Sequence, residues 1–379
     1  MTDMVTVREV SNKKDVKSFI EFPLRLYKDS PYFVPPLYSA EKRLFSQNKE
    51  DSLFESVFFL AEKDGEVVGR IQGIIQKKNN DGESESVVRF TRFDSIDDIE
   101  VSRALFSAIE EWGRKMGRTK ISGPLGYRGV DRAGVLVEGF SENATFTEWY
   151  NYEYYARLIE DSGYSKDYDW LEFELKAPEK KHELLDKMAK RTLELNKLHI
   201  ADANMPRRKY IKKYADSFFD CLSACGALKH LTPAEQREMV TVFYPLIVPK
   251  FAVLICDEKE RIVAFGLSFP SIGPALKKSR GKLTHPATIK LIRSLRRPKV
   301  MVLGLIAVRP EYQDTGVNAV LVSRTVRLLT EENVESCESN LNLETNDSLI
   351  AQWKFMSARQ HKRRRCYTKN IETEKDGNV

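Results

Sequence analysis

Apolar positions along this chain fall into two similar successions of strand and helix periods. Residues 5–10 alternate as a short strand, and residues 14–26 carry Val16, Phe19, Ile20 and Leu24 at helical spacing. Residues 58–75 read as an apolar strand, a polar turn at Lys63-Asp64-Gly65-Glu66, and a second apolar strand. Asp-Gly between apolar runs is a hairpin signal, because both residues tolerate positive φ. A strand over 87–93 follows, then an amphipathic helix over 101–116 through Val101, Leu105, Ile109, Trp112 and Met116. The same order returns later. Residues 198–201 predict a strand, and 207–222 a helix with Tyr210, Ile211, Tyr214, Phe218 and Phe219 on one face. A hairpin over 251–269 turns at Asp257-Glu258-Lys259-Glu260, with a strand over 300–308 and a helix over 317–329 after it.

Each half therefore predicts strand, helix, hairpin, strand, helix, strand, helix, strand, an α/β arrangement around a mixed sheet. The halves are residues 1–177 and 198–379, joined by a helix over 178–197 with Pro178 near its first turn. A length of 379 residues suits two domains, and 42% hydrophobic with 31% charged residues allows a buried core. No apolar run approaches the ~18 residues of a membrane span, so no membrane partner is expected. The start, MTDMVTVREV, lacks an apolar signal region, which points to the cytoplasm.

Cys221, Cys225, Cys256, Cys337 and Cys366 form no disulfide framework, as in a reducing compartment. Cys221 and Cys225 share a helix face with no zinc-like partner spacing, so no metal is expected. The net charge of +6 is modest, but residues 271–300 hold nine Lys or Arg and no acid. Such a segment is either a solvated face or a surface for an anionic partner.

The sharpest chemical signal is LGLIAVRPEYQDTGVNA over 303–319. A buried strand runs into Arg309-Pro310, a short polar loop around Gly316, and an apolar helix. The first N–H groups of a helix lack partners and carry partial positive charge. Gly316 offers no side chain to obstruct a phosphate there. A bulky residue at 316 is then expected to block the ligand while leaving the fold intact. The dinucleotide pattern G-x-G-x-x-G and the Walker pattern are both absent.

At this point the residues resemble the GNAT superfamily of acyl-CoA N-acyltransferases. The family's pyrophosphate loop, V-x-P-x-Y-Q/R-x-x-G-x-G/A, stands here as Val308, Pro310, Tyr312, Gln313, Gly316 and Asn318. Asn318 departs from the usual Gly or Ala, though its backbone N–H is kept. Asn346, at the head of NDSLIAQWKF, is similar to the family's N-x-x-A-x-x-x-Y helix, with Trp353 where the family's acid-donating Tyr stands. An indole N–H donates but is not an acid at neutral pH, so no general acid is assigned. FP-x-x-LY at Phe22, Pro23, Leu26 and Tyr27, PPL at 35–37, Gly123-Pro124, and VEGF at 137–140 extend the resemblance to a bacterial tandem-GNAT subfamily of about this size, whose acceptor is undefined.

The resemblance implies two tandem GNAT-like domains and acetyl-CoA or another acyl-CoA as donor. It implies direct acyl transfer to a small-molecule or peptide amine. It places the pantetheine along Ile306, Ala307 and Val308, and the diphosphate on Gln313, Asp314, Thr315, Gly316, Val317 and Asn318. Asn346 and Trp353 complete the cofactor set, and Glu344 is the first candidate base. In the first half, Asp94, Asp97, Asp98 and Glu100 surround the matching helix start with no glycine, which predicts a domain without a cofactor site. Tyr152, Tyr154 and Tyr155 are candidate acceptor-pocket residues, or else packing at a domain interface. A non-catalytic acyl-CoA sensor and an aminoacyl-tRNA-dependent transferase are the alternatives. A nucleic-acid module has only the basic segment in its favour, with no RNP or zinc-finger pattern.

Overall fold

The computed structural model describes residues 4–45, 54–77, 86–127, 131–178, 183–226, 233–244, 246–282, 289, 292 and 295–371. The chain forms two compact units that are not contiguous in sequence. The first contains residues 1–171, 273–288 and 362–379, and the second contains 172–272 and 289–361. The sequence division at 177 and 198 therefore differs in three places: residues 172–177 group with the second unit, and residues 273–282 and 362–371 with the first. The chain passes between units inside two strands, which no local pattern marks.

In the first unit the order is β1 (Thr6–Glu9), α1 (Lys13–Leu26), α2 (Tyr38–Arg43), β2 (Phe54–Lys63), β3 (Glu66–Gln76), β4 (Val87–Ser95), α3 (Ile99–Lys115), β5 (Lys120–Gly123), β6 (Val135–Glu138) and α4 (Tyr154–Glu160). Strand β7 (Ser165–Lys176) leads out of it. Strands β1 to β5 lie in sequence order, and β14 (Ser357–Asn370) pairs antiparallel with β5 and β6 through residues 363–370. The hairpin turns where expected, with positive φ at Asp64 and Gly65. Asn12 caps α1 by accepting from the N–H groups of Lys14 and Asp15. Helix α3 buries Val101, Leu105 and Ile109 completely. It packs so tightly on β3 that a Cβ at Gly69 would lie 2.8 Å from Leu105. That apolar stripe is what holds the helix, at about 1.5–3 kcal/mol per fully buried side chain.

The second unit holds α5 (Glu183–Leu195), β8 (His199–Ile200), α6 (Arg207–Ala224), α7 (Pro233–Phe243), β9 (Ala252–Cys256), β10 (Ile262–Pro270), β11 (Val300–Val308), α9 (Val317–Glu331), β12 (Ser336–Glu338), β13 (Asn342–Leu343) and α10 (Asp347–Ile350); α8 (Gly273–Ser279) belongs to the first unit. Its strands order as β12-β11-β10-β9-β8, antiparallel except β11 with β12. Ala189 and Leu198 pack with Ile255, Val263, Val317, Val320 and Leu321 in one core. The joining helix is thus part of this core, through α5 against α9.

Candidate functional site

Strands β11 and β12 pair only at Val300 with Ser336, Met301 with Cys337 and Val302 with Glu338. Beyond this point β11 continues to Val308 along β10, and its other edge has no strand partner among the described residues. Asn340 Nδ2 donates to the Gly304 carbonyl at 2.7 Å, at the point of divergence. Ile306 is 45% exposed on the open stretch. Ile306 and Ala307 thus lie on the open fork. Val308 is different, because its carbonyl accepts from Cys225 Sγ at 3.2 Å and Gln313 Nε2 at 3.3 Å. That carbonyl is already bonded within the chain.

The loop after β11 is fixed from below. Buried Arg309 donates Nε to the Ile262 carbonyl at 2.8 Å and pairs with Asp220. A 3-10 turn over Pro310–Tyr312 follows, where Thr315 Oγ1 donates to the Tyr312 carbonyl at 2.7 Å. Asp314 and Gly316 both take left-handed φ, 65° and 85°, and α9 begins at Val317. The N–H groups of Gly316, Val317 and Asn318 donate to no group among the described residues. Gly316, Asn318, Gln313 and Asp314 are exposed. Unpaired amides at a helix start, on exposed Gly316 and Asn318 and on buried Val317, suit an anion.

The reason for the glycine is not the expected one. A Cβ at Gly316 would lie 2.9 Å from Thr192 Oγ1 on α5. The missing side chain makes room for α5 and permits the left-handed backbone, so a bulky residue there strains the fold as well. The expectation that such a variant folds normally is corrected.

Asn346 caps α10 by accepting from the Leu349 N–H at 3.1 Å. Trp353 follows in the 3-10 turn Ala351–Phe355, 6% exposed, and its Nε1 has no hydrogen-bond partner among the described residues. A buried donor without an acceptor costs about 1–3 kcal/mol. Glu344 is half-buried in the turn after β13. Cys221 and Cys225 sit on and beside α6, both as thiols raised by burial, the first to about 12. His199, Cys256 and Glu260 bring donor atoms within 4.8 Å of one another. Burial pushes the Cys256 thiol up to about 12, which disfavours the thiolate that binds a metal, and Glu260 already pairs with Lys213 at 3.0 Å.

No family model matches this sequence. Protein YghO of Escherichia coli strain K12 is 28% identical over 393 residues, covering 98% of each chain. The bacterial ceramide synthase of Caulobacter vibrioides is 25% identical over 318 residues, 82% of each. A solved tandem GNAT protein from the clavulanic acid biosynthesis pathway superimposes with a TM-score of 0.57 at 12% identity, over 98% of this chain and all of that one. The chain has the tandem GNAT fold. A GCN5-related N-acetyltransferase from Sphaerobacter thermophilus agrees, with a TM-score of 0.51 at 11% identity over 98% and 97% of the chains. No helix among the described residues is long and apolar enough to cross a membrane.

Within this tandem GNAT fold the first unit's fork is filled. Strands β4 and β5 pair over Val87–Arg89 with Lys120–Ser122, then Leu125 N–H donates to the Phe90 carbonyl at 2.8 Å. Arg89 Nη1 reaches the Tyr127 carbonyl at 3.1 Å. The α3 start is capped by Asp98, which accepts from Glu100 N–H and from Lys63 Nζ, each at 2.9 Å. Asp97 pairs with Arg157, and Asp94 with Arg70 Nε at 2.7 Å. The candidate tyrosines also belong to this unit, whereas the loop at Gly316 belongs to the second. Tyr155 is buried with its hydroxyl 2.5 Å from that of Tyr27 and 3.3 Å from Asp94. Burial first, then Asp94, raises the Tyr155 hydroxyl well above its ordinary pKa. Tyr155 is therefore packing. Tyr152 and Tyr154 donate to the Leu26 and Ser95 carbonyls and line a groove of about 500 Å³ with Tyr32, Phe140 and Tyr150. Of the basic segment, Lys277 points inward, donating to Asn143 Oδ1 at 2.7 Å, while Lys278, Arg280, Arg296, Arg297 and Lys299 are exposed; Lys290 and Arg293 lie outside the described residues.

Proposed function

We propose that the second unit binds acyl-CoA and that the protein is an N-acyltransferase acting by direct transfer to an amine. The observation that carries this reading is the coincidence of two features at one end of β11: an open strand edge and three unpaired amides at Gly316, Val317 and Asn318. Acyl-CoA supplies a thioester whose carbonyl carbon gains the C–N bond as the C–S bond breaks. The three amides and the α9 dipole hold the diphosphate, with Gln313 and Thr315 shaping the loop and Asp314 adding a carboxylate at its rim. Main-chain groups of Ile306 and Ala307 orient the pantetheine like an added strand. Asn346 fixes the turn that presents Trp353, whose Nε1 gives the bound molecule a buried donor. Glu344 takes the proton from the attacking amine, a role worth on the order of a hundredfold in rate.

The acceptor we place first is a long-chain amine, because a relative named for ceramide synthesis spans most of both chains. A ceramide is an amide on such an amine. A second reading, an acyl-CoA sensor without turnover, is favoured by Trp353 standing where a proton donor would help the thiolate leave. Thermal shifts with CoA, acetyl-CoA and long-chain acyl-CoAs test binding; a ligand at ~100 times its Kd adds roughly 2.7 kcal/mol. Thiol release measured across short and long amines then separates enzyme from sensor. No shift with any CoA species overturns both.

A further inference from the structure

Buried and half-buried charges of the first unit gather around Trp149. Arg92 and Glu41 form a two-pronged pair, at 2.8 and 2.9 Å. Glu148 faces two cations, Lys362 at 3.0 Å and Arg364 at 3.3 Å, and none of these three side chains is more than 1% exposed. Arg132 is a further cation in the same cluster. Its guanidinium lies 4.6 Å from the centre of the Trp149 ring, and Arg92 lies 5.2 Å from that centre. Nη2 of Arg132 donates to the Phe146 carbonyl, but its buried Nη1 has no hydrogen-bond partner. Among the described residues no carboxylate comes within ion-pair distance of Arg132. The Trp149 Nε1 is likewise buried without an acceptor.

Arg92 pairs with Glu41, and Lys362 and Arg364 with Glu148, while two N–H donors on the adjoining side chains of Arg132 and Trp149 lack acceptors. Loss of hydration pushes the Arg132 guanidinium down to about 10, with Glu41 and Glu148 pulling it up against the repulsion of Arg92 and Arg364. An arginine almost never shifts so far, because its charge is delocalised and basic. Leaving a desolvated cation without a counter-ion is costly, and a fold keeps such a group only where something else offsets it. Guanidinium groups bind carboxylate and phosphate oxygens through charge-assisted hydrogen bonds, and an indole N–H adds one more.

We propose that Arg132 and Trp149 form a binding site in the first unit for an oxyanion group, a carboxylate or a phosphate ester. The site is independent of the acyl-CoA reading, which concerns the second unit. It gives the first unit a ligand of its own although its helix start is closed by Asp98.

The test uses the full chain, with unfolding temperature and calorimetric titration in sodium phosphate, sodium acetate or sodium chloride at matched ionic strength. Phosphate or acetate should raise the unfolding temperature beyond chloride; acetate alone would identify a carboxylate ligand, phosphate alone a phosphate ester. Arg132→Gln should weaken this binding roughly tenfold or more, and in chloride it should unfold no earlier than wild type, since an unpaired buried charge has gone. Trp149→Phe keeps the ring and removes the N–H, and should weaken binding several-fold. Phosphate held at the start of α9 would survive both changes and vanish in Asn318→Glu. The proposal fails if neither anion outdoes chloride, or if the gain survives Arg132→Gln. Should Arg132→Gln not fold, unchanged anion affinity in Trp149→Phe overturns it equally.

Discussion

The two forks of parallel strands start from the same plan and end differently. In the second unit β11 diverges from β12 after three paired positions and stays open, with Asn340 on the Gly304 carbonyl. In the first, β4 and β5 also diverge after three, but Leu125 bonds across to Phe90 and Arg92 fills the space with Glu41 and Gln72. The helix starts differ in the same sense. Asp98 supplies its own anion to α3, whereas Gly316 brings none to α9. A helix terminus needs its orphan donors satisfied, and a cap from the chain leaves less for a ligand. One repeat meets that need internally; in its twin the amides have no partner among the described residues.

This contrast can be broken in graded steps. Arg70→Met leaves buried Asp94 without its cation and should cost about 3 kcal/mol or more of unfolding free energy, measured in urea, with acyl-CoA affinity unchanged. A parallel loss of acyl-CoA binding would show that the first unit supports the cofactor site. Asn318→Glu puts a carboxylate among the free amides of α9, where it suits the helix dipole but repels a diphosphate. Calorimetry should read about tenfold to a hundredfold weaker binding with stability held, and unchanged affinity would remove the diphosphate from that loop. Gly316→Ala should lose about 1–2 kcal/mol through its left-handed φ. Pairing it with Thr192→Ala relieves the contact but not the backbone strain, so only part of the loss should return.

Smaller effects sharpen the picture. Burial alone would raise the Glu41 carboxyl, but Arg92, Arg70 and Arg132 outweigh it and hold it below the usual range. A carboxyl depressed on folding stabilises above its ordinary pKa and loses that contribution as pH falls through its folded value. Glu41→Gln should therefore flatten the acid limb of stability against pH; an unaltered limb would assign acid sensitivity elsewhere. Trp353→Phe removes one orphaned donor. It should weaken acyl-CoA binding by about two- to tenfold and leave stability equal or slightly higher. Unchanged affinity would mean the indole N–H meets no ligand.

How much of this was legible is clearest at particular residues. The hairpin at Asp64-Gly65, the helix over 101–116 and the strand into Arg309-Pro310 all lay open in the sequence, because periods of two and near 3.6 are local properties of a chain. The loop at Gly316 was legible as a place of unusual backbone. Its reason was not, because Thr192 stands far off in sequence on a helix that reads only as a connector. That Cys225 and Gln313 donate to the Val308 carbonyl was not legible either, because Cys225 comes from a distant helix end. Arg132 and Trp149 gave no signal that they meet, since sixteen residues with β6 among them lie between the two.

By itself, then, the sequence determined the order and kind of elements, the repeat, and the end of β11 where chemistry concentrates. Tertiary structure alone decided which fork stays open, which carboxylates are already paired, and that residues 362–371 group with the first unit. Periodicity reports how each segment meets its immediate surroundings. Strand partners and counter-ions come from distant segments, and the balance of desolvation against pairing is set only when the chain brings them together.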